Sequence, residues 1–288
     1  MNERRLMSMN GNWMERLAVC SWSLQPANPD ELISRLSDTG IKRIQLALDP
    51  LHENQAVWGN TATLLAREGV TIVSGMFGCV GEDYTTLETI RATGGIAPDA
   101  TWDRNWKNIQ TTASLARDLG LSFVTFHAGF LPHDPAAPDY QKLADRLGIL
   151  AETFQSRGLQ LGLETGQETA GELLDFLTQL NRPNLGVNFD PANMILYGKG
   201  DPIAALATLG PWVRQVHIKD ALATILPGTW GAEVAAGSGH VPWPEFFATL
   251  NSIGFTGNCV IEREAGAQRV EDIRTARRVF EQCQSGNI

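Results

Sequence analysis

Short runs of apolar and β-branched residues alternate along the chain with longer segments whose apolar residues recur at helical spacing. Eight of the short runs predict β-strands, at residues 17–24, 43–49, 71–77, 122–127, 160–164, 185–190, 213–219 and 258–262. Alternating strands and helices are typical of α/β proteins with a parallel sheet. The count of eight favours a single closed (β/α)8 barrel, a TIM barrel, although the alternation alone also fits an open doubly wound sheet.

The boundaries of the predicted helices carry their own signals. Asn28 before Pro29 predicts the start of the first helix, and Asp201 predicts the start of a helix after strand six. Thr169 and Glu172 have the spacing of a capping box. Five glycines, each followed at once by an apolar residue, predict helix ends with a left-handed residue: Gly40, Gly69, Gly120, Gly158 and Gly254.

Two connections between predicted strands are longer than the others, residues 78–106 after strand three and residues 221–242 after strand seven. Long ordered insertions usually cover active sites, so we expect both at the mouth of the barrel. Residues 1–16 contain four methionines in a polar setting, and we expect them to form a flexible tail. Residues 17–288 then form one barrel domain.

The chain has 288 residues, and its 23 Lys and Arg against 32 Asp and Glu give a formal net charge of −9. With 43% hydrophobic residues it can bury a sizeable core, which excludes disordered and low-complexity classes. The acidic balance argues against binding nucleic acid, which requires a basic face. Four scattered cysteines, no secretory leader and no apolar run of about 18 residues predict a cytoplasmic protein that does not engage a membrane. Because Gly-x-Gly-x-x-Gly and Walker sequences are absent, a nicotinamide or ATP cofactor is not expected.

Polar residues stand at the ends of the last four predicted strands: Glu164, Asp190, His217 and Glu262. The carboxyl ends of barrel strands meet at one mouth, where the functional residues of such proteins lie. Three carboxylates and an imidazole within apolar runs would repel and desolvate one another unless a cation lies among them. The sequence therefore predicts a divalent metal site. The alternative is that each residue is an ordinary salt-bridged residue at a strand end.

The donor set also limits the choice of metal. A donor set of oxygens with one nitrogen suits Mn²⁺, Co²⁺, Mg²⁺ or Fe²⁺, and Zn²⁺ is a further alternative. His127 ends strand four at the same mouth and is expected to bind substrate, unless it is a hydrogen-bonded structural histidine. Four aromatic residues at strand ends or in the long connections could form an apolar wall for a sugar face: Trp22, Phe77, Trp102 and Trp230.

Four motifs point to a known family. They are Leu-Glu-Thr around Glu164, Asn-Phe-Asp-Pro-Ala-Asn at 188–193, His-Ile-Lys-Asp at 217–220 and Gly-Ser-Gly-His-Val-Pro-Trp at 237–243. In these motifs the chain resembles the xylose isomerase-like TIM barrels. That group includes sugar-phosphate isomerases and epimerases, inosose dehydratases and isomerases, and DNA repair enzymes of the endonuclease IV type. The resemblance extends over residues 17–280.

The resemblance implies one divalent metal held by the four strand-end residues, with a keto-sugar or related polyol chelated through two oxygens. Glu164 and Glu262 are then the catalytic pair that transfers a proton through a metal-stabilised enediolate. The implied activity is isomerisation or epimerisation of a small carbohydrate. A lyase or dehydratase acting on an inosose or 3-keto sugar would use the same site. The resemblance also implies a homodimer or homotetramer.

Further substrate contacts follow from the same resemblance. Glu168 resembles a secondary glutamate of the epimerases, at a shorter spacing. Asn193 stands where tagatose-type epimerases have a histidine, and Lys219 stands near the place of their arginine, which argues against a tagatose-type substrate. The His-Ile-Lys-Asp run is closer to the inosose-processing branch, in which Lys219 would contact substrate oxygens. Otherwise Lys219 points into the barrel wall or pairs with Asp220.

Two less favoured functions remain within the same group. An endonuclease IV-like phosphodiesterase needs a cluster of metals and more histidines than the five in this chain. A barrel whose site has decayed would be a sugar-binding or scaffold protein, and the complete set of four strand-end ligands argues against it.

Overall fold

The computed structural model describes residues 13–226 and 228–285. Eight parallel strands close into a barrel in the order β1-β10-β7-β6-β5-β4-β3-β2. The barrel strands are β1 Leu17–Cys20, β2 Arg43–Ala47, β3 Thr71–Met76, β4 Phe123–Phe126, β5 Gln160–Glu164, β6 Leu185–Phe189, β7 Val213–Ile218 and β10 Asn258–Ile261. The predicted TIM barrel is therefore confirmed. An open sheet is excluded because β1 pairs with both β2 and β10.

Twelve helices in the described part of the chain surround the barrel or cover its ends. They are α1 Pro29–Thr39, α2 Asp49–Glu53, α3 Gln55–Trp58, α4 Thr61–Arg67, α5 Leu87–Thr93, α6 Asp99–Asp118, α7 Pro138–Gln155, α8 Ala170–Leu180, α9 Pro191–Leu196, α10 Pro202–Leu209, α11 Trp243–Ser252 and α12 Arg269–Ser285. None of the helices in these described ranges is both long and apolar enough to cross a membrane.

The helix boundaries follow the signals in the sequence. The Asn28 side chain accepts the backbone N–H of Glu31 at the start of α1, and Asp201 caps α10 in the same way. All five glycines predicted to end helices have positive φ, between 68° and 74°. The local sequence thus determines where these helices begin and end.

The first strand is shorter than predicted. β1 ends at Cys20, and Trp22–Leu24 form a 3-10 turn that brings the Trp22 side chain to the mouth of the barrel. At the other end of β1, Trp13–Arg16 form a second 3-10 turn. Trp13 is buried, with its ring 5.9 Å from that of Phe247, so this part of the predicted flexible tail belongs to the packed domain. Residues 1–12 of that tail lie outside the described residues.

Both long connections lie over the carboxyl ends of the strands. Residues 78–98 contain α5 and attach to the end of β4, where the Ile96 N–H donates to the Ala128 carbonyl at 3.1 Å. At Gly95 (φ 66°) an added Cβ would lie 2.1 Å from the Ala128 backbone. This close approach of two backbones requires a glycine, and it fixes the insertion against the barrel.

The second connection contains a hairpin that the sequence pattern did not predict, because each strand has only three residues. β8 Asp220–Leu222 pairs antiparallel with β9 Ala232–Val234. The buried carboxylate of Asp220 accepts five hydrogen bonds of 2.8–3.1 Å, from the backbone N–H groups of Ala221, Gly237, Gly239 and Val241 and from Trp243 Nε1. The carboxylate of Asp220, in the 217–220 motif, thus fixes the backbone of the glycine-rich 237–243 motif by hydrogen bonds.

Helix α8 provides a test of pH-dependent stability. The Glu172 carboxylate accepts the backbone N–H (2.9 Å) and hydroxyl (2.8 Å) of Thr169 and also contacts His133 Nδ1. Burial opposes these contacts, but together they lower the pKa of Glu172 to about 2. The contribution of Glu172 to the free energy of unfolding is therefore complete above the unfolded-state pKa of about 4.3. It is lost as the pH falls from there towards 2.

We expect Glu172→Gln to lower the free energy of unfolding by about 1 kcal/mol at pH 7. The difference from wild type should shrink as the pH falls below about 4.3. Urea denaturation at pH 7 and pH 3.5 measures both values. Asp175→Asn, which removes an exposed carboxylate from the same helix, is the control. If Glu172→Gln lowers the free energy of unfolding equally at pH 7 and pH 3.5, the proposed role of the ionised carboxylate is wrong.

Candidate metal centre and sugar-binding cavity

Four neighbouring strands of the barrel carry the predicted ligands to one place. Glu164 is the last residue of β5, and His217 lies near the end of β7. Asp190 follows β6 directly, and Glu262 follows β10. Because the strands are adjacent in the order β5-β6-β7-β10, the four side chains point into the same part of the barrel mouth. All four residues are buried.

The donor atoms of these residues converge around His217. Its Nδ1 lies 3.4 Å from Glu164 Oε1, 3.6 Å from Asp190 Oδ2 and 3.3 Å from Glu262 Oε2. One donor atom of each residue lies within 4.8 Å of all the others. Donors bonded to one cation at about 2.1 Å and at right angles lie about 3 Å apart, so the observed spacing fits a single ion.

Unsatisfied polar atoms support the same interpretation. His217 Nδ1 and Asp190 Oδ2 are buried and have no hydrogen-bond partner. The other oxygen of Asp190 accepts the backbone N–H groups of Ala192 (2.8 Å) and Asn193 (3.0 Å) at the start of α9. Asp190 is therefore fixed by one oxygen and presents the other to the cluster. A buried polar atom without a partner is uncommon in a folded protein, and a cation would satisfy both of these.

The other ring nitrogen of His217, Nε2, contacts two buried amide side chains. His217 Nε2 lies 2.9 Å from Gln45 Oε1, and the Gln45 amide donates to Thr125 Oγ1 at 2.7 Å. Asn188 Nδ2 approaches the same ring nitrogen at 3.0 Å. The Gln45 carbonyl favours hydrogen on Nε2, which leaves the Nδ1 lone pair facing the carboxylates. Gln45 is fully buried within β2.

The two glutamates are oriented by different partners. Glu164 accepts hydrogen bonds from Asn193 Nδ2 at Oε1 (3.1 Å) and from Asn188 Nδ2 at Oε2 (3.3 Å). Glu262 accepts from Trp22 Nε1 at Oε1 and from Lys219 Nζ at Oε2, both at 2.8 Å. One glutamate thus lies among neutral amides and the other beside an ammonium group.

Lys219 lies in the cluster and does not pair with Asp220. Its buried Nζ donates to Glu262, to Glu264 Oε2 at 2.6 Å and to Asn193 Oδ1 at 3.3 Å. Of the alternatives for this lysine, the structure therefore places it beside the predicted ligands. Glu264, two residues after Glu262, is a neighbour that the predicted site did not include.

Electrostatics make the cluster favourable for a cation. Burial opposes ionisation of Glu262, yet Lys219 and His217 hold its pKa well below the usual range. Burial raises the pKa of Asp190, and Lys219 only partly offsets this. Burial also disfavours a charged His217, but Glu262 and Glu164 raise its pKa well above the usual range. A divalent cation would take the place of the proton that these carboxylates draw onto the imidazole.

A cavity of about 480 Å³, within the usual size range of small-molecule sites, adjoins the cluster. Trp22, Lys219 and Asn193, which bond to the two glutamates, line it. Its lining combines aromatic, apolar and acidic side chains, among them Trp22, Asp49, Met76, Phe77, Glu82, Tyr84, His127, Asn193, Tyr197, Lys219, Trp230 and Glu264. His127 Nε2 lies 3.8 Å from Glu164 Oε2, and its buried Nδ1 has no partner. The cavity therefore joins the candidate metal centre to an amphipathic wall of the kind that sugars bind.

The profile of the xylose isomerase-like TIM barrel family matches residues 33–283 of the chain. The protein is a xylose isomerase-like TIM barrel. A solved structure of a xylose isomerase domain protein from Planctomyces limnophilus is 32% identical, with a TM-score of 0.82 over 88% of this chain and 92% of that one. A xylose isomerase-like TIM barrel protein from Mycobacterium smegmatis, solved in complex with magnesium, shares the fold at 17% identity, with a TM-score of 0.67 and 92% of each chain covered.

Curated relatives match this xylose isomerase-like barrel over shorter stretches. The uncharacterized protein YihM of Escherichia coli strain K12 is 32% identical over 157 residues, which are 51% of this chain and 45% of YihM. The ketose 3-epimerase of Arthrobacter globiformis is 28% identical over 123 residues, 40% of this chain and 39% of the epimerase. The matches thus span less than half the length of either relative.

Of the four residues predicted to contact substrate in this xylose isomerase-like barrel, three line the cavity. His127, Asn193 and Lys219 line it. Glu168 does not, because the chain turns at Gly166 (φ 133°) and directs its side chain away. It lines a second, small pocket together with Glu164 and apolar residues such as Leu143, and burial there raises its pKa to about 8. Glu168 thus lies outside the lining of the main cavity, and its expected contact with substrate stays a prediction.

Of the predicted aromatic wall, Trp22, Phe77 and Trp230 line the cavity. Trp102 instead stacks on Trp106 at 5.9 Å, away from the lining. Tyr84 and Tyr197 also line the cavity, although the sequence did not predict them as part of the site. Each lies in a connection where helical or strand periodicity gives no signal, so only the fold shows that they reach the site.

Proposed function

We propose that the protein is a divalent-metal-dependent isomerase or epimerase of a small sugar or keto-polyol. The observation that carries this proposal is the convergence of three carboxylates and one imidazole, two of their atoms unsatisfied, beneath a cavity with aromatic walls. Membership of the xylose isomerase-like family supports it. So does the similarity to a ketose 3-epimerase over part of the chain.

Glu164, Asp190, His217 and Glu262 would hold the metal. Their donor set of three carboxylates and one imidazole suits Mn²⁺, Co²⁺ or Mg²⁺, and a structural neighbour is a magnesium complex. When bound, a divalent cation supplies Lewis acidity that polarises a substrate carbonyl and acidifies the neighbouring C–H.

The two glutamates would move the proton. Glu164 ends β5 and Glu262 follows β10, the two outer strands of the ligand group, so the two carboxylates would approach a substrate from different sides. Two Asn side chains hold Glu164, whereas Trp22 and Lys219 hold Glu262, so each carboxylate keeps a defined orientation. Removal of a proton by one and return by the other inverts a carbon centre, and return at the adjacent carbon isomerises the sugar. His127 and Asn193 would orient substrate oxygens.

The position of Lys219 favours a dehydratase as the second candidate. Its ammonium group lines the cavity 2.8 Å from Glu262 and could protonate a departing hydroxyl. Abstraction of a proton next to a carbonyl followed by loss of a β-hydroxyl as water gives an elimination product. This alternative uses the same four metal ligands.

Proton exchange with solvent tests the proposal. Chelator-treated protein reloaded with Mn²⁺ or Mg²⁺ is incubated in ²H₂O with a panel of free ketoses and inososes and followed by NMR. We expect deuterium incorporation next to the carbonyl, dependent on metal, with the rate about 100-fold or more lower in Glu164→Gln and Glu262→Gln. Glu152→Gln, an exposed carboxylate on α7, should behave as wild type.

The outcomes separate the two candidates. Exchange accompanied by an epimeric or isomeric product supports the isomerase, whereas a product that has lost water supports the dehydratase. Wild-type protein that binds no divalent metal by elemental analysis would overturn both.

A further inference from the structure

The cavity has two chemically different halves. The candidate metal ligands come from β5, β6, β7 and β10. The opposite half is formed by the segments that follow β2 and β3, where Asp49 and Glu82 line the same cavity. A substrate held by the metal centre at one end would therefore present its other end to these two carboxylates.

Asp49 is fixed at the edge of the barrel. It is the first residue of α2, and its Oδ2 accepts the backbone N–H of Gly78 at 2.8 Å. Oδ1 lies 3.7 Å from His52 Nε2, too far for a hydrogen bond. The side chain is 27% exposed, and its partial burial raises its pKa to about 6. One oxygen of Asp49 is thus engaged by the backbone and the other is free to accept a ligand hydroxyl.

Glu82 is fixed in the same way from the insertion after β3. Its Oε1 accepts the backbone N–H of Gly95 at 2.8 Å. Gly95 is the residue whose backbone packs directly on Ala128 at the end of β4, so Glu82 is anchored to the barrel through two tight contacts. Both distal carboxylates are therefore held by backbone donors, without a bound cation.

The charge of the lining disfavours anions in this half. Among the described residues that line the cavity there is no arginine, and Lys219 is the single lysine. Lys219 is already engaged by Glu262 and Glu264. The other basic groups near this half are two imidazoles: His127 lines the cavity, and His52 Nε2 lies 3.7 Å from Asp49 Oδ1. A phosphate or carboxylate group at the distal end would meet the two carboxylates of Asp49 and Glu82 in a partly desolvated site, with no arginine or unengaged lysine among the lining residues to offset the repulsion. A hydroxyl group would instead donate a charge-assisted hydrogen bond to either carboxylate.

We propose that Asp49 and Glu82 form a distal subsite that binds the hydroxyl groups of a neutral polyhydroxylated substrate and rejects phosphorylated or carboxylated sugars. The inference rests on the proposed function, since it assumes that the reacting end lies at the metal centre. It names the substrate class of that same cavity as uncharged sugars and polyols.

Equilibrium binding provides the test, with D-fructose and D-fructose 6-phosphate as probes in isothermal titration calorimetry on the metal-loaded protein. We expect wild type to bind the free sugar at least about 10-fold more tightly than its phosphate ester. Asp49→Asn and Glu82→Gln keep an oxygen for Gly78 and Gly95, so both should fold. Each should weaken fructose binding by about 10-fold, and the double variant should lose most of the discrimination.

Two controls match these changes in charge and location. Glu53→Gln lies on α2 with Asp49, and Glu88→Gln lies on α5 in the insertion with Glu82; both residues are exposed and should leave binding of both probes unchanged. Metal content, measured on every variant, should equal that of wild type because the four candidate metal ligands are unchanged.

The subsite proposal is overturned if wild type binds neither probe, binds the phosphate ester as tightly as fructose, or discriminates equally well after the double substitution. Failure of wild type to bind metal would instead count against the proposed function, and metal content reports it separately. Discrimination that disappears only in Asp49→Asn, Glu82→Gln and their combination supports the subsite.

Discussion

Replacing Asp190 with asparagine is expected to abolish tight metal binding and, at the same time, to stabilise the metal-free protein. An asparagine keeps the oxygen that accepts the Ala192 and Asn193 N–H groups, so the start of α9 is preserved. The oxygen it replaces is Oδ2, which has no hydrogen-bond partner and lies 3.6 Å from His217 Nδ1 and 3.7 Å from Lys219 Nζ. The change removes one anionic ligand without removing the helix cap.

The two effects have opposite signs for one physical reason. Without a cation, three buried carboxylates repel one another, and burial disfavours the charge on Asp190. Asparagine removes that penalty. With a cation, the same negative charge is what attracts the metal. The affinity should therefore fall by about 100-fold or more, beyond the loss typical of changing a residue that only hydrogen-bonds to a ligand.

Thermal unfolding with chelator and with saturating Mn²⁺ measures both effects. Wild type should gain stability on adding metal, because only the folded state presents the four ligands. Asp190→Asn should melt a few degrees higher than wild type in chelator, about 2–4 °C for each kcal/mol, and should not respond to metal.

Asp190→Ala is the comparison that separates the two roles of this residue. It lacks both the charge and the cap, so it should lose the metal response and also about 1 kcal/mol of stability from the start of α9. A metal-dependent rise in melting temperature that persists in Asp190→Asn would show that Asp190 is not a ligand.

Gln45→Leu should weaken metal binding although Gln45 touches no metal ligand other than the histidine ring. Its carbonyl oxygen lies 2.9 Å from His217 Nε2 and its amide donates to Thr125. Leucine would remove the acceptor that favours hydrogen on Nε2 and would leave Asn188 Nδ2, at 3.0 Å, as the neighbouring amide of that ring nitrogen. We expect metal affinity to fall by about 10–100-fold. The free energy of unfolding should fall by about 1–3 kcal/mol, because buried polar groups lose their partners.

The matched control is Asn184→Leu. Asn184 is a buried amide that donates to the carbonyls of Ala151 (2.9 Å) and Leu159 (3.3 Å) just before β6, at the other end of the barrel. It should lose comparable stability and keep the wild-type affinity for metal. Affinities come from competition with a chelating dye, and stabilities come from urea denaturation in chelator. Equal metal affinity in Gln45→Leu and wild type would show that Gln45 has only a structural role.

The barrel and the meeting of the four strand-end residues could be predicted from the sequence because both depend on local patterns. Each strand is a short apolar run, each helix end has its own capping residue, and strand ends share one mouth once the barrel closes. Glu164 and Glu262 stand out as charged residues at the ends of otherwise apolar strands. No knowledge of the connections was needed to place them together.

The residues that support the site could not be predicted in this way. Gln45 and Thr125 are single polar residues within strands, and nothing in the sequence indicates that they lie beside a histidine more than ninety residues away. Asp49 and Glu82 reach the cavity because connections fold back onto the barrel. The place of Glu168 outside the main cavity lining could not be predicted for the same reason, since it depends on how the segment that turns at Gly166 folds.

The contacts across the barrel interior have a consequence for folding. The amide of Gln45 joins β2 and β4 to His217 in β7, and β1 pairs with β10 near the other end of the chain. Neither half of the polypeptide can therefore assemble the ligand set with its supports by itself. Binding of a divalent ion should therefore follow closure of the barrel during refolding. The rate of metal binding should then report the slowest long-range strand pairing and not the collapse of the early hydrophobic segments.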